Sequence, residues 1–267
     1  MQLREKNNFN LSSLKVGFVL PAYNEHENIF ELLKQIDLVF NNKVILIIDD
    51  STNNKTKDKI YLKKDLQYFK RASKLGRGSA VLYGLKTLLK NEEINFFVEM
   101  CTDLADDPKE LPDNIKYFLE NKLDLLVMSR YLKGSKIINW TIKRKLFSFL
   151  ANKFAKSLLK VPVSDYTNGY RIYSRKAAAQ VVKNCDKISY GFLALSESLV
   201  ELYINNLRIG EIETSFTNRE KGESSMNLKL ILDSFFELIK LYFNKRREIK
   251  IVSKKPTFTN IDRLDDD

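Results

Sequence analysis

The stretch VGFVLPAYNE at residues 16–25 gives the first indication of the fold. Mostly apolar residues are followed at once by a polar loop, and this pattern predicts a buried β-strand that ends at a turn. Similar apolar runs and intervening segments with helical spacing recur along the first half of the chain. The predicted strands are 16–20, 44–48, 95–98 and 123–128, and the predicted helices are 28–40, 80–89 and 108–119. Strands that alternate with helices predict an α/β fold with a Rossmann-like, mostly parallel sheet flanked by helices.

Polar loops follow the four predicted strands. The carboxyl ends of parallel strands lie at one edge of a sheet, and ligands bind there. The loops read PAYNE at 21–25, DDS at 49–51, TD at 102–103 and SRY at 129–131. Three of these loops carry acidic residues, which suit a divalent cation and a diphosphate better than they suit a buried core.

The composition limits the chemistry. The chain has 267 residues, of which 44% are hydrophobic, and can therefore form one sizeable core. His26 is the only histidine, so a metal site with two histidine ligands is excluded, and a Ser-His-Asp triad would have to use that residue. Cys101 and Cys185 form no CxxC pair, and no disulfide framework is expected. The net charge of +11 indicates an anionic partner, either nucleic acid, a phosphorylated ligand or an acidic membrane.

The positive charges are concentrated in one part of the chain. Residues 130–160 contain nine lysines or arginines and no acidic residue, and apolar residues recur there at helical spacing. This pattern is typical of a helix on an anionic membrane surface, and a core helix with a solvated cationic side is the alternative. Because the cations lie beside an apolar helix and are not interleaved with stacking aromatic residues, nucleic acid is not expected as a partner.

The sequence shows neither a secretory signal nor an apolar run of about 20 residues, the length that spans a bilayer. We therefore expect a soluble or peripheral protein, located in the cytoplasm on the cytoplasmic face of a membrane. We expect one domain at residues 1–225, an amphipathic helical extension at 226–250 and a disordered tail at 251–267.

Four motifs carry a resemblance to a known family. They are PAYNE at 21–25, DDST at 49–52, KLGRG at 74–78 and CTDL at 101–104. The chain resembles the family 2 glycosyltransferases of the GT-A fold, and within them the dolichyl-phosphate mannose synthase-like group that uses polyprenyl phosphates. This resemblance extends over residues 16–243. It implies a transferase that moves a mannose- or glucose-type sugar from a GDP- or UDP-sugar to a polyprenyl or dolichyl phosphate.

The resemblance also implies which residues bind the donor. Tyr23 would stack on the base, Glu25 would meet the base or the ribose, and Asp50 would bind the nucleoside. Pro21 and Gly76 belong to the same donor-binding loops. Neither the sugar nor the base, guanine or uracil, follows from the sequence.

The family has an Asp-x-Asp metal motif, and the chain departs from it. Asp103 occupies the second carboxylate position, but Cys101 stands where the first carboxylate is expected and Ala105 where a side-chain oxygen ligand sometimes occurs. The resemblance therefore implies a divalent cation, Mg²⁺ or Mn²⁺, at a weakened site that depends on Asp103. Asp106 is a second candidate ligand.

The resemblance assigns the acceptor phosphate to cationic residues. Arg130, Arg144 and Ser148 would hold it by charge-assisted hydrogen bonds, and a solvated basic helix is the alternative. Arg219 would contact the donor diphosphate, and Ser225 stands where the family usually has a lysine. The predicted catalytic residues are Asp103, Arg130 and Arg219. A small membrane protein that anchors the chain is a further candidate partner.

The implied reaction is a direct displacement with inversion at the anomeric carbon. A monoalkyl phosphate has a second pKa of about 6, so the acceptor is mostly a dianion at neutral pH and needs positioning more than deprotonation. One alternative is a hydroxyl acceptor, which would need a carboxylate base, and Asp165 and Glu197 are the candidates. Another alternative is a non-catalytic descendant that binds a nucleotide sugar, which the replacements at residues 101, 105 and 225 favour.

Overall fold

A mixed sheet of seven strands lies at the centre of the protein. A computed structural model describes residues 13–61, 63–185, 193–218 and 228–253, with side chains from residue 235 onwards in the last range. The described strands are β1 (Lys15–Ala22), β2 (Lys43–Asp49), β3 (Leu66–Lys70), β4 (Ile94–Glu99), β5 (Leu125–Ser129), β6 (Lys136–Ile138), β7 (Arg171–Ser174), β8 (Ile209–Glu213) and β9 (Ser215–Thr217). The described helices are α1 (Ile29–Val39), α2 (Lys55–Asp58), α3 (Arg77–Leu88), α4 (Leu111–Glu120), α5 (Ile142–Leu159), α6 (Arg175–Asn184), α7 (Leu193–Ile204) and α8 (Leu228–Val252), and a 3₁₀ turn at Pro108–Glu110 precedes α4.

The strand order in the sheet is β3-β2-β1-β4-β7-β5-β8. β7 is antiparallel to both of its neighbours, and the other pairs in the sheet are parallel. β6 and β9 form a separate parallel pair. The predicted α/β fold, with a mostly parallel sheet flanked by helices, is confirmed. Within the described ranges, no helix is both long and apolar enough to cross a membrane.

Side chains of β1 pack alternately on the two faces of the sheet. Phe18 and Leu20 belong to the core that includes α1 and α4, whereas Val19 belongs to the core that includes α3. Strands that are buried on both faces read as continuous apolar runs, which explains the pattern in the sequence. Gly84 allows α3 to approach β1 closely, because a Cβ there would lie 2.5 Å from Val19 Cγ1.

The helix α8 packs on α7 and α5. Leu241 is buried in this contact, and Lys245 Nζ lies 3.0 Å from Glu201 Oε2 on α7. The buried carboxylate of Glu201 therefore fixes the second half of α8 to the globular part of the chain.

The predicted division into segments is described only in part. The helix α8 covers most of the predicted extension at 226–250 and ends at Val252, two residues into the predicted tail at 251–267. Residues 254–267 lie outside the described residues. The division at 225 and 250 stays a prediction.

Candidate active site

The loop after β1 forms one side of the ligand edge. Asn24 has a φ of 59°, a left-handed conformation that asparagine tolerates, and its N–H donates to Ser51 Oγ at 2.8 Å. Tyr23 is exposed, and Lys74 Nζ lies 3.7 Å from the centre of its ring. Glu25 is buried in the turn that leads into α1. Tyr23 is therefore the residue of this loop whose ring is accessible for stacking on a base.

A buried ion pair organises the loop beside β2. Asp50 accepts two hydrogen bonds from Arg71, of which the one from Nη2 measures 2.6 Å. It also accepts the N–H groups of Leu75 at 3.1 Å and Gly76 at 3.0 Å. The carboxylate therefore fixes the loop that contains Gly76, and its predicted contact with the nucleoside stays a prediction. Arg71 is a site residue that the sequence did not reveal, because it is an isolated arginine after a strand that was not predicted.

A second buried ion pair lies under the start of α3. Arg77 pairs with Glu99 at the end of β4, and its Nη2 donates to Gly169 O at 3.3 Å. Glu99 is fully buried, and its second oxygen accepts a hydrogen bond from Tyr173 Oη at 2.7 Å. These contacts connect α3 to β4 and to the segment before β7. No sequence pattern indicated a role for Glu99.

We expect Gly169→Ala to destabilise the protein. A Cβ at this residue would lie 2.0 Å from Arg77 Nη2 and 2.4 Å from Arg77 Cζ, so the guanidinium would have to move away from Glu99. Overpacking of this kind lowers the free energy of unfolding by about 1–3 kcal/mol, which urea denaturation measures. Gly17→Ala is the milder control, because its Cβ would lie 3.0 Å from the nearest side-chain atoms. Equal losses in the two variants would contradict this role of Gly169.

The predicted metal-binding loop follows β4. Thr102 Oγ1 donates to Pro21 O at 3.0 Å, which connects this loop to the loop after β1. Asp103 is half-buried, and its Oδ1 accepts the N–H of Ala105 at 3.3 Å. The structure therefore places Asp103 beside the predicted donor-binding loops.

Asp106 has an unsatisfied carboxylate oxygen in the same loop. Its Oδ2 accepts the N–H of Cys101 at 2.8 Å, whereas its Oδ1 is buried and has no hydrogen-bond partner in the part of the chain that the structure describes. Burial, and to a smaller extent the charge of Asp103, raises the pKa of Asp106 to about 7. Burial also raises the pKa of Cys101 well above its ordinary value. A thiol is also a softer ligand than the carboxylate oxygens that suit Mg²⁺ and Mn²⁺, so Cys101 does not replace the missing carboxylate of the motif.

Two carboxylates of this loop could hold a hard cation. Among the described residues, no three His, Cys, Asp or Glu side chains are grouped so that they could bind a metal. Asp103 and the Oδ1 atom of Asp106 suit a cation that takes its other oxygens from a diphosphate and from water, as Mg²⁺ commonly does. The residues present therefore fit Mg²⁺ or Mn²⁺ bound together with a diphosphate.

Arg130 and Asp165 form a buried ion pair after β5. Arg130 Nε lies 2.7 Å from Asp165 Oδ2, and Arg130 Nη2 lies 2.8 Å from Asp165 Oδ1. Asp165 also accepts the N–H groups of Thr167 at 3.1 Å and Asn168 at 3.0 Å. Burial alone would raise the pKa of Asp165, but the charge and hydrogen bonds of Arg130 outweigh it, and the pKa is lowered. An ion-paired carboxylate with a lowered pKa is a weak general base.

Both arginines of the predicted acceptor site contact Trp140. The Cζ atom lies 5.5 Å from the ring centre for Arg130 and 4.0 Å for Arg144. Phe216 packs edge-on against Trp140, and the centre of its ring lies 5.3 Å from Arg130 Cζ. Arg130 is 8% exposed, whereas Arg144 is half-buried. Arg144 therefore offers a ligand the more accessible guanidinium.

The strand β9 connects the metal-binding loop to the acceptor side. The N–H of Thr217 donates to Ala105 O at 3.1 Å. The next residue, Asn218, accepts a hydrogen bond from Arg144 Nη1 at 2.9 Å. Asn218 has no role in the sequence interpretation, because a single asparagine far from Arg144 in the chain carries no signal.

Three other predicted site residues are described to different extents. Ser148 accepts a hydrogen bond from Tyr131 Oη at 2.6 Å, so it lies next to the SRY loop. Glu197 is buried on α7. Arg219 lies outside the described residues, as Ser225 does. The roles of Ser148, Glu197 and Arg219 stay predictions.

Comparisons with known sequences identify a family and three relatives. The sequence model described as "Glycosyl transferase family 2" matches residues 18–182. The chain is similar to the polyprenol monophosphomannose synthase of Mycolicibacterium smegmatis, with 30% identity over 227 residues, which cover 82% of this chain and 84% of that protein. It is also similar to the dolichol-phosphate mannosyltransferase of Pyrococcus furiosus, with 28% identity over 236 residues, 85% of this chain and 64% of that protein. The chain therefore spans less than two thirds of the Pyrococcus protein.

A third relative and two solved structures complete the comparison. The undecaprenyl-phosphate mannosyltransferase of Micrococcus luteus is 26% identical over 223 residues, which cover 80% of this chain and 88% of that protein. Glucosyl-3-phosphoglycerate synthase from Mycobacterium tuberculosis, in complex with Mn²⁺, UDP and glucosyl-3-phosphoglycerate, has a TM-score of 0.62 and 15% identity, covering 87% of this chain and 80% of that chain. The complex of the same synthase with UDP has a TM-score of 0.61 and 15% identity, and the match covers 86% of this chain and 80% of that chain. At this identity, the structural similarity shows the fold.

Proposed function

Because the chain belongs to glycosyl transferase family 2, we propose that it transfers a mannose- or glucose-type sugar from a GDP- or UDP-sugar to a polyprenyl or dolichyl phosphate. The observation that carries the proposal is the pair of arginines at Trp140, joined through β9 to the loop of Asp103. The names of the three relatives, which refer to dolichol, polyprenol and undecaprenyl phosphates, support a lipid phosphate as the acceptor.

The acceptor phosphate attacks the anomeric carbon, and the bond to the nucleoside diphosphate breaks with inversion. A phosphate monoester is mostly a dianion at neutral pH and needs to be positioned. Arg144 orients it by charge-assisted hydrogen bonds. Arg130 is paired with Asp165 and contacts the same Trp140 ring, so it supports the site from its buried position. No carboxylate base is needed, which agrees with the ion-paired state of Asp165.

The donor side combines two carboxylates with an accessible aromatic ring. Asp103 and the Oδ1 atom of Asp106 would hold Mg²⁺ or Mn²⁺, with Asp106 in place of the carboxylate that Cys101 does not supply. When bound, the cation neutralises charge on the departing diphosphate. Tyr23 stacks on the base of the donor. Arg219 contacts the diphosphate, a role that rests on the family resemblance.

An apolar surface on α5 and α8 supports a membrane location. Its exposed side chains are Ile142, Leu146, Phe147, Phe149 and Leu150 of α5 and Phe235, Phe236 and Phe243 of α8. Phe154 stacks on Phe235 with 4.8 Å between the ring centres, which joins the two helices into one surface. Exposed apolar patches beside cationic side chains are typical of contact with an anionic membrane. We propose that this surface contacts the cytoplasmic face of a membrane and that a small anchoring partner would contact the same surface.

We expect Arg144→Ala to raise the acceptor KM by roughly 10- to 100-fold or to abolish transfer, because a hydrogen bond to a charged group contributes about 1.5–3 kcal/mol. Binding of UDP or GDP, measured by calorimetry, is expected to stay unchanged. Lys143→Ala removes one charge from the exposed neighbouring position and is expected to change the acceptor KM less than about twofold. An unchanged KM in Arg144→Ala would remove Arg144 from the acceptor site.

Transfer by the purified full chain tests the proposed function directly. Labelled GDP-mannose or UDP-glucose is supplied with Mg²⁺ or Mn²⁺, with and without a short polyprenyl phosphate in detergent. We expect a labelled lipid product from one donor, and only when the lipid phosphate is present. Nucleotide binding without any lipid product from these and related donors would contradict the proposal and favour a non-catalytic binding module.

A further inference from the structure

One face of α5 changes from apolar to positively charged side chains along the helix. Ile142, Leu146, Phe149, Lys153 and Lys156 form a stripe on α5 at alternating steps of four and three, and Lys160 follows at the cap just after the helix. Side chains at this spacing share one face of a helix. All six are exposed, and the first three are apolar while the last three are lysines. The core-facing side of α5 is formed by Asn152, Ala155 and Leu159, so the stripe faces away from the core.

The three lysines line an open recess at the end of α5. It has a volume of about 370 Å³ and is also lined by Ser157, Val161 and Pro162. Small-ligand sites typically measure roughly 300–1,000 Å³. Lys160 has a φ of 57°, so the chain turns where the helix ends and the two residues after the turn complete the recess.

The lysines of this recess have no acidic ion-pair partner among the residues that the structure describes. Residues 130–160 contain no Asp or Glu at all. The carboxyl end of a helix favours a cation, but one lysine in the last turn would satisfy it. Three lysines around one recess, without an ion pair to any described carboxylate, therefore favour an anionic ligand.

We propose that the recess binds the phosphate of an anionic phospholipid. Lysine ammonium groups bind phosphate as point charges, and the apolar half of the same stripe would enter the acyl region beside that headgroup. A phospholipid satisfies both halves of the stripe, whereas a free phosphate leaves the apolar half exposed to water. Lys153 lies nine residues beyond Arg144, about 14 Å along the helix, so this site is separate from the acceptor site. The inference rests on the membrane location in the proposed function.

Sedimentation of the full chain with vesicles tests the inference. The vesicles contain phosphatidylcholine alone or phosphatidylcholine mixed with phosphatidylglycerol. The triple variant Lys153→Gln, Lys156→Gln and Lys160→Gln is expected to bind the mixed vesicles about 100-fold more weakly, because one cation near an anionic membrane contributes about fivefold. On phosphatidylcholine alone, the variant and the wild type are expected to bind equally.

A matched control removes the same charge elsewhere. Lys86→Gln, Lys90→Gln and Lys116→Gln replace three exposed lysines of other segments. This control is expected to bind the mixed vesicles like the wild type. The inference is overturned if the control loses as much binding as the recess variant, or if the recess variant binds normally. Binding to the three lysines can also be followed by their NMR signals. The inference is overturned if inorganic phosphate alone binds them as tightly as the mixed vesicles do.

Sugar transfer in detergent separates this inference from the proposed function. The recess variant is expected to transfer sugar to a short polyprenyl phosphate at the wild-type rate, because its lysines lie away from the donor and acceptor residues. If the recess variant transfers sugar normally and also binds the mixed vesicles like the wild type, the inference is overturned but the proposed function is not. If the wild type transfers no sugar, but its vesicle binding depends on the recess lysines, the proposed function is overturned and the inference is not.

Discussion

Replacement of Asp103 by asparagine is expected to lower kcat/KM for sugar transfer by about 1,000-fold. The variant loses the carboxylate that is best placed to hold the divalent cation, and with it the stabilisation of the leaving diphosphate. Steady-state transfer kinetics measure the loss. Titration of Mn²⁺ in the presence of UDP or GDP, followed by electron paramagnetic resonance, is expected to show weaker binding of the cation. This second measurement separates a lost metal site from a damaged acceptor site.

The loop of Asp103 contains its own control. Asp107 is exposed, and its side chain accepts the N–H of Lys109 at 2.9 Å, a contact that asparagine can keep. Asp107→Asn is therefore expected to transfer sugar within about twofold of the wild type. Asp106→Asn is expected to weaken Mn²⁺ binding, and Cys101→Asp to strengthen it, because these changes remove and restore a carboxylate ligand. Full activity of Asp103→Asn would contradict the proposed role of this loop.

Asp165→Ala is expected to lower the free energy of unfolding by about 3–5 kcal/mol, the usual cost when one partner of a buried ion pair is removed. The variant leaves Arg130 charged and buried, and it also removes the acceptor for the N–H groups of Thr167 and Asn168. Since the stability of a folded protein is typically about 5–15 kcal/mol, urea denaturation should show a large shift of the midpoint.

A surface pair provides the comparison for this loss. Glu93 pairs with Lys15, but 74% of its side chain is exposed, and Glu93→Ala is expected to lower the free energy of unfolding far less than Asp165→Ala does. The double variant Arg130→Met with Asp165→Leu is expected to recover much of the stability, because it leaves no buried charge without a partner. Recovered stability without recovered transfer would assign the pair of Arg130 and Asp165 a role in the reaction beyond stability. A loss in Asp165→Ala no larger than that in Glu93→Ala would contradict the structural role of the pair.

The fold was predictable where strands are buried on both faces. The central strands β1, β2 and β4 read as short apolar runs, as a doubly covered parallel sheet requires. The edge strand β3 escaped prediction because its residues LQYFK alternate between half-buried and exposed positions. The antiparallel strand β7 escaped because it begins with Arg171, an arginine whose burial depends on hydrogen bonds to distant carbonyl groups such as Leu195 O. Long-range contacts of this kind leave no periodic signal in the sequence.

The candidate site was predictable where a motif is contiguous. Asp103 and Arg130 follow predicted strands, so their place at the ligand edge comes from the order of the strands. The ion pair of Asp50 with Arg71 and the contact of Arg144 with Asn218 join residues that are far apart in the chain. Single residues without a local pattern become recognisable as partners only after the backbone has brought them together.

The hydrogen bonds of β9 have a consequence for redesign of substrate preference. Thr217 braces the backbone beside the cation loop, and the adjacent Asn218 steadies the guanidinium of Arg144. A displacement of this short strand would therefore move the loop of Asp103 and the guanidinium of Arg144 together. An engineer who wants to exchange the nucleotide while keeping the lipid should vary the surroundings of Tyr23 and leave residues 215–218 as they are.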